Sequence, residues 1–269
     1  MASIAENHMN TVYKRVVHDL LKDPDRRSET RKGEMLSENL YYEFTLLDIN
    51  NCVPSLRPEY NRGYLEKEFG FYCSGSNRLE DALELSKFWA KCSDDGETIT
   101  SNYGKLLLHD RNDHGNTQFE YCLQALINNK DSKKAVMVIY DKEHAFLSND
   151  NPCTMFLHFC ILGDKLHMKT HMRSNDIWYG IVYDVPFFCA IQNALYQELK
   201  VKYPELKCGS YTHYACSLHL YGRDENKVID LLNGTAFKDY SDVQKGMIQY
   251  LFSMVHATAT GRRLPKNIS

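Results

Sequence analysis

Apolar positions recur with helical spacing along much of the chain. In residues 9 to 22, "MNTVYKRVVHDLLK", Val12, Val16, Leu20 and Leu21 fall on one face, which predicts a helix. "DPDRRSETRKGE" breaks the pattern, and its Pro, Gly and dense charge predict a loop. Residues 40 to 48, "LYYEFTLLD", read as a strand. "YLEKEFGFYCSG" returns to helical spacing through Leu65, Phe69 and Tyr72 and stops at Gly75; "RLEDALELSKFWAKC" predicts a second helix behind it. "GNTQFEYCLQALINNKDS" is amphipathic, with Phe119, Cys122, Leu123 and Leu126 inward. "KKAVMVIYD" reads as a buried strand from its β-branched content. Two long strands follow over 153 to 172, with Gly163-Asp164 as the hairpin turn.

"VPFFCAIQNALYQEL" is the clearest helix, with Phe188, Ile191, Leu195 and Leu199 in register. Asp184 stands just before it, where an N-cap belongs. A further strand spans about 210 to 221, and helices finish the chain. No linker, repeat or low-complexity segment interrupts residues 1–269. Helices mixed with hairpins predict an α+β fold in a single domain.

Composition narrows the function classes. The 269 residues are 43% hydrophobic and 25% charged, enough for a sizeable core. A formal net charge of -3 argues against binding nucleic acid by phosphate neutralisation, so no nucleic-acid partner is expected. Nine cysteines, an odd number with no C-x-x-C spacing, predict a reduced, intracellular chain without a disulfide framework or metal site. The N-terminus has no apolar signal core and no run approaches membrane-span length, so a cytoplasmic protein with no membrane partner is expected.

Several polar positions could carry chemistry. Cys153, in "NDNPCTMF", sits where a loop enters a strand. A nucleophilic thiolate needs such access and a positive environment, while the alternative for any cysteine is a small apolar filler. "RSND", 173 to 176, gathers a guanidinium, a hydroxyl, an amide and a carboxylate into an oxyanion site or a polar turn. Lys133 and Lys134 of "DSKK", and Arg26, Arg27 and Arg31, are phosphate donors or solvated charges. His219 and Tyr221 of "SLHLY" share a strand face and could bond a sugar hydroxyl or be a half-buried pair. Glu68 lies at the margin of a helical stripe, as a surface acid or a buried one with a raised pKa. Trp89 lies among apolar residues.

Their spacing resembles the thymidylate synthase family. The likeness is carried by Pro-Cys, "RSND" twenty residues after the cysteine, a glycine four beyond Asp176, and "SLHLY" downstream. It runs from about residue 59 to about 230, with a looser match in the N-terminal loop. Within the superfamily it is closest to the phage deoxycytidylate hydroxymethylases, through "SNYG" at 101 to 104, "DS" before the basic pair, Thr154, "MRSND" at 172 to 176 and Ser217.

The resemblance implies a thymidylate-synthase-like fold, a large bent mixed β-sheet flanked by helices. It implies that Cys153 adds to carbon 6 of a pyrimidine nucleoside monophosphate, so that carbon 5 attacks the one-carbon unit of 5,10-methylenetetrahydrofolate. Arg173 and Ser174 would hold the phosphate, with the Arg173 guanidinium favouring the thiolate. Arg27 would join them, with Arg26 and Arg31 as neighbouring alternatives. Lys133 and Lys134 stand where the family donates an Arg pair from the partner subunit, which implies a homodimer. Glu68 would manage protons and water, Tyr103 would lie near the nucleophile, and His219 and Tyr221 would hold the ribose hydroxyl. Trp89, Asp176 and Gly180, with Glu68, would line the folate pocket.

Eleven residues after the motif arginine, thymidylate synthases carry an Asn; here the residue is Asp184. An amide suits uracil, accepting from N3–H and donating to O4. A carboxylate has no donor for O4 but accepts from the exocyclic amine of cytosine and from a protonated N3. Asp184 would therefore both read the base and stabilise the adduct. The ending "GRRLPKNIS" is unlike the apolar tail with which synthases close the site, so hydration of the exocyclic methylene is expected rather than its reduction. The expectation is a dCMP 5-hydroxymethyltransferase. The alternatives are a CMP or dUMP hydroxymethylase, a thymidylate synthase, or a non-catalytic nucleotide- or RNA-binding regulator. The intact Cys153, Arg173 and Glu68 argue against the last.

Overall fold

The computed structural model describes residues 4–30, 33–54, 62–234 and 241–264, with side chains at the last stretch from residue 246 onward. The strands are β1 (Ile4–Glu6), β2 (Arg26–Glu29), β3 (Met35–Leu46), β4 (Val136–Val138), β5 (Thr154–Leu162), β6 (Lys165–Met172), β7 (Asn175–Asp176) and β8 (Lys207–Tyr221). They form one mixed sheet in the order β1-β3-β8-β6-β5-β4, with β2 added to β3 and β7 to β8. The β1–β3, β6–β8 and β7–β8 pairs are parallel, and β2–β3, β3–β8, β4–β5 and β5–β6 are antiparallel. The helices are α1 (Met9–Lys22), α2 (Arg62–Ser74), α3 (Leu79–Leu83), α4 (Gln118–Asn128), α5 (Ile181–Lys202), α6 (Glu225–Leu232) and α7 (Ser241–Thr260). The fold is α+β, a large mixed sheet flanked by helices, as the sequence pattern and the resemblance lead one to expect.

The core centres on α5. Phe188, Ile191, Leu195 and Leu199 are buried, but so are Phe187, Cys189 and Ala190, so the first half of this helix is enclosed on all sides, while Gln197, Lys200 and Val201 near its end are exposed. Its one fully buried amide, Gln192, donates to the carbonyls of Leu166 (3.0 Å), Gly209 (3.3 Å) and Ser210 (3.2 Å). The β6–β8 register shifts between Leu166 and Met168, so the amide meets carbonyls where the ladder is broken.

A second break lies level with Cys216. Tyr41, its expected β3 partner, adopts φ 56 and drops out of the ladder. On the other side of β8, Arg173 and Ser174 interrupt β6 and β7, which otherwise continue in one register. Before the break Tyr211, His213 and Ala215 are buried; after it Leu218 and Leu220 take the core positions. Ser217, His219 and Tyr221 are left on the opposite face from them.

Four local expectations are corrected. The segment 78–92 is not one helix: α3 stops at Leu83, and a 3-10 turn over Lys87–Lys91 starts at Ser86, whose hydroxyl accepts from Phe88 N–H. Ser competes for the backbone and suits a cap better than a helix interior. The Arg-rich segment holds β2, and β3 starts earlier than its apolar run, at Met35. Polar Ser37, Glu38 and Asn39 are buried by pairing between β2 and β8, which hid them from a hydrophobicity pattern. Strand β4 covers only Val136–Val138 of the longer run expected. Finally, α5 begins at Ile181, so Asp184 is inside its first turn and is not the N-cap. The turn 176–180 already nucleates the helix: Asp184 N–H donates to the Gly180 carbonyl at 3.0 Å. Pro186 therefore lies within the helix.

Candidate active site

Cys153 enters β5 from a loop and is half-buried. The loop is fastened from two sides. Arg173 N–H donates to the Cys153 carbonyl (2.8 Å), and the Arg173 guanidinium donates to the carbonyls of Pro152 (2.9 Å) and Asn151 (2.8 Å). Opposite, buried Asp150 accepts from the Thr100 and Ser101 backbone N–H groups (2.5 and 2.9 Å) and from the Ser101 hydroxyl. Asp150 thus ties "SNYG" to "NDNPC", a link the sequence left unexplained.

The same tie sets Tyr103. Asn102 donates to the carbonyls of Phe71 (3.2 Å) and Ser76 (2.6 Å), and Gly104 lies so close to α2 that a Cβ would sit 2.1 Å from the Tyr72 carbonyl oxygen. Tyr103 is held between Tyr72 (centroids 5.8 Å) and Phe188 (6.0 Å), with its hydroxyl 3.4 Å from Thr154 N. The Ser174 hydroxyl lies 3.6 Å from the Cys153 sulfur. Burial pushes the Cys153 thiol up; the Arg173 charge and the Ser174 hydroxyl pull it back, while Asp184 and Asp150 add to the rise. The expected arginine effect is present, but burial outweighs it.

Facing this loop is a pair of acids. Glu68, mid-way along α2, is 6% exposed and accepts from the Tyr64 hydroxyl at 3.1 Å. Burial, and then the nearby Asp184 charge, raise its pKa to about 8. Asp184 keeps a partly open surface while Val182, Tyr183 and Val185 around it are buried. Burial raises it to about 7; the Asn175 amide opposes the rise and Asp176 adds to it. Among the described residues the Asp184 carboxylate has one hydrogen-bond donor, Asn175 Nδ2, at 3.1 Å from Oδ2. Trp89, in the 3-10 turn and largely buried, reaches this wall through Phe71 (6.2 Å) and lies beside Tyr64.

The break at Cys216 builds the remaining edge. Arg26, Glu38, His219 and Asp176 are register partners across β2, β3, β8 and β7, one row across four strands. Glu38 is buried and accepts from Arg26 (2.8 Å), Ser28 (2.8 Å) and Ser217 (2.8 Å). Burial would raise it, but these donors together bring it below the usual carboxylate range. Asp176 caps its own turn, accepting from Trp178 N–H (2.8 Å) and Tyr179 N–H (3.3 Å). His219 meets Tyr221 edge-on at 5.1 Å, and burial lowers its pKa against the pull of Asp176. A Cβ on Gly180 would fall 2.2 Å from Asn175 Oδ1, so the turn closes only around a glycine.

Two sets of expected residues are not brought here. Arg27 points to the other face of β2, toward the Leu21 carbonyl (3.4 Å) and Glu225 (4.0 Å); Arg26 is the one in the His219 row. Lys133 and Lys134 are exposed at the start of β4, near the far end of β5 from Cys153. Arg31 and residues 265–269 lie outside the described residues. Residues missed in the sequence are Asp150, Glu38, Tyr64 and Tyr72; only Asp150 had a cue, its place in the loop before the cysteine. Among the described residues no helix is long and apolar enough to cross a membrane.

The model of the thymidylate synthase family matches residues 11–244. The chain belongs to the thymidylate synthase family. The match starts well before the likeness read from the motifs and takes in most of α1 and all of β2. A deoxycytidylate 5-hydroxymethyltransferase of Enterobacteria phage T6 is 29% identical over 171 residues, covering 61% of this chain and 68% of the relative. A deoxyuridylate hydroxymethyltransferase of Delftia phage PhiW-14 is 28% identical over 172 residues, 59% of this chain and 45% of the relative. A thymidylate synthase of Fusobacterium nucleatum is 23% identical over 164 residues, 61% of this chain and 58% of the relative. This family is one of one-carbon transferases, and its members take the one-carbon unit from methylenetetrahydrofolate.

Proposed function

We propose that the chain is a dCMP 5-hydroxymethyltransferase. The observation that carries the reading is the Asp184 carboxylate, beside Cys153 and with a single protein donor among the described residues. Its free acceptor capacity suits the exocyclic amine and protonated N3 of a cytosine adduct better than the O4 of uracil. In this reading the Cys153 thiolate attacks carbon 6. Arg173 and Ser174 receive the phosphate and stabilise the thiolate once the nucleotide has displaced water. Glu68, holding a proton near neutral pH, shuttles it at carbon 5 and orients the water that completes hydroxymethylation.

Methylenetetrahydrofolate would supply a one-carbon unit at the oxidation level of formaldehyde. The residues present fit such a group: Trp89 offers an aromatic wall beside Tyr64 and Glu68, and half-buried Asp176 offers acceptor capacity. His219 and Tyr221 then take the sugar hydroxyl.

One observation favours a second reading. Asp184 titrates near neutrality, and a protonated carboxyl, like an amide, can donate to O4 and accept from N3–H of uracil. That form would serve a dUMP hydroxymethylase. Incubation with dCMP, CMP or dUMP and methylenetetrahydrofolate, followed by product mass, separates these. The expected result is addition of CH2O to dCMP in preference to the others. A methylated dUMP product without hydroxymethylation would defeat the proposal.

We also infer a homodimer. Lys133 and Lys134 are roughly 20 Å along β5 from Cys153, too far to serve the site of their own chain. Sedimentation should give a dimer, and Lys133→Ala should weaken nucleotide binding.

A further inference from the structure

We infer that Asn175 is a positioning residue for base selection: its amide, oriented by His213 and Tyr211, gives an N–H to one oxygen of Asp184 and leaves the other oxygen for the pyrimidine. The inference rests on the reading of Asp184 as the base-contacting group. Asn175 Nδ2 lies 3.1 Å from Asp184 Oδ2, 3.3 Å from His213 Nε2 and 2.8 Å from Met172 Sδ. Asn175 is buried, and among the described residues its Oδ1 has no hydrogen-bond partner. With one N–H on Asp184, the other is shared between Met172 Sδ, a weak acceptor, and His213 Nε2, which can receive it only if that nitrogen carries a lone pair.

Tyr211 acts on that nitrogen through the other side of the ring. Its hydroxyl is 2.7 Å from His213 Nδ1, and His213 is buried against Phe44 at 5.0 Å. Burial holds the ring neutral, with a pKa of about 3, so it carries one proton. Two arrangements are self-consistent. In the first, Nδ1–H donates to Tyr211, Nε2 accepts from Asn175, and Asn175 donates to an ionised Asp184. In the second, Tyr211 donates to Nδ1 and Nε2–H faces a flipped Asn175 carbonyl, which a protonated Asp184 must also address. The first presents a carboxylate to the base and suits cytosine. In the second the one acidic proton is spent on Asn175, so the base meets only a neutral carbonyl oxygen, which stabilises a cytosine adduct far less. A flipped Asn175 carbonyl against an ionised Asp184, or His213 Nε2–H against the Asn175 N–H groups, sets acceptor against acceptor or donor against donor in a buried site, so the orientation of Asn175 and the charge offered to the base are coupled.

Other groups also bear on the Asp184 charge. Glu68 and Tyr72 face it from α2, Tyr103 from the segment packed on α2, Cys153 from the start of β5, Asp176 from β7 and Tyr211 from β8. None of them gives the Asp184 carboxylate a hydrogen bond; Asn175 does.

The test is the ratio of kcat/KM for dCMP to that for dUMP, measured against pH in the full-length enzyme. The native ratio should fall as pH drops and Asp184 takes up its proton. In Asn175→Leu the ionised carboxylate loses its donor, so the ratio at pH 8 should fall about tenfold or more and its midpoint should rise by about one pH unit. His213→Phe keeps the ring but frees the amide to flip, and should shift both in the same direction by less. General structural damage would lower both substrates together and leave the ratio unchanged. If Asn175→Leu fails to fold, Asn175→Ala, which adds no bulk, is read in the same way. A native ratio and midpoint in the Asn175 variant, with preference lost in Asp184→Asn, would overturn the inference alone. Preference retained in Asp184→Asn would overturn the base reading beneath it.

Discussion

Replacing Glu68 by Gln should stabilise the empty protein at alkaline pH while slowing it as an enzyme. Glu68 is raised to about 8 in the fold from an ordinary 4.5, chiefly by burial and then by Asp184. Below pH 4.5 the acid is protonated in both folded and unfolded chains, and its stabilising contribution is fully present. Above that, the unfolded chain releases a proton that the folded chain keeps, and stability falls until pH passes the folded value. Each pH unit in this window costs ~1.4 kcal/mol, which sets an upper bound of roughly 5 kcal/mol across the whole shift. Structural relaxation and water entry reduce this, so about 2–3 kcal/mol is expected between pH 5 and 9. Gln has no such titration and keeps an acceptor for Tyr64. Urea midpoints of the two proteins should agree at about pH 4 and separate with rising pH, the variant becoming the more stable. Parallel pH profiles would refute the argument. Asp184→Asn should give a similar but non-additive effect, because the two acids repel each other.

Cys153→Ala should abolish turnover yet still bind nucleotide, because Arg173 and Ser174 remain; calorimetry with dCMP checks this. Arg173→Lys loses two fixed bonds to the Cys153 loop as well as the anion fork, so KM for nucleotide should rise about tenfold or more and kcat should fall with it in steady-state assays. Gly104→Ala places a methyl 2.1 Å from the Tyr72 carbonyl oxygen, and urea denaturation should register a loss of about 2–4 kcal/mol.

The elements most legible in the sequence were those whose burial follows a period. α1, α2, α4 and the β5–β6 hairpin announce themselves through Val12, Leu65, Phe119 and Gly163. The elements missed are held by polar contacts. β2 and the start of β3 are ordered around Glu38 and its donors, none of which a hydrophobicity pattern registers. Asp184 looked like a cap because Pro186 follows it, but the turn at Gly180 starts the helix earlier, by contacts from Asp176 that sequence spacing does not reveal. In the site, the cysteine, Arg173 and the acids were readable through motif spacing. The Asp150 latch and the Asn175–His213–Tyr211 set were not, because each depends on segments that meet only in the folded chain.

The Arg173 clamp has a kinetic consequence. Two of its guanidinium nitrogens already hold the carbonyls of Asn151 and Pro152, and a third lies 3.3 Å from the Ser174 hydroxyl. The side chain is thus confined to one rotamer before any anion arrives, and its rotational entropy is spent in folding rather than in binding. On the proposed function, an incoming phosphate would meet a cation that need not search for its pose, so capture would be governed by diffusion and steering more than by rearrangement. The same bonds make the Cys153 loop stiffer when the arginine is intact. Amide exchange at Cys153 and Thr154 in the unliganded protein would therefore report on the Arg173 clamp itself.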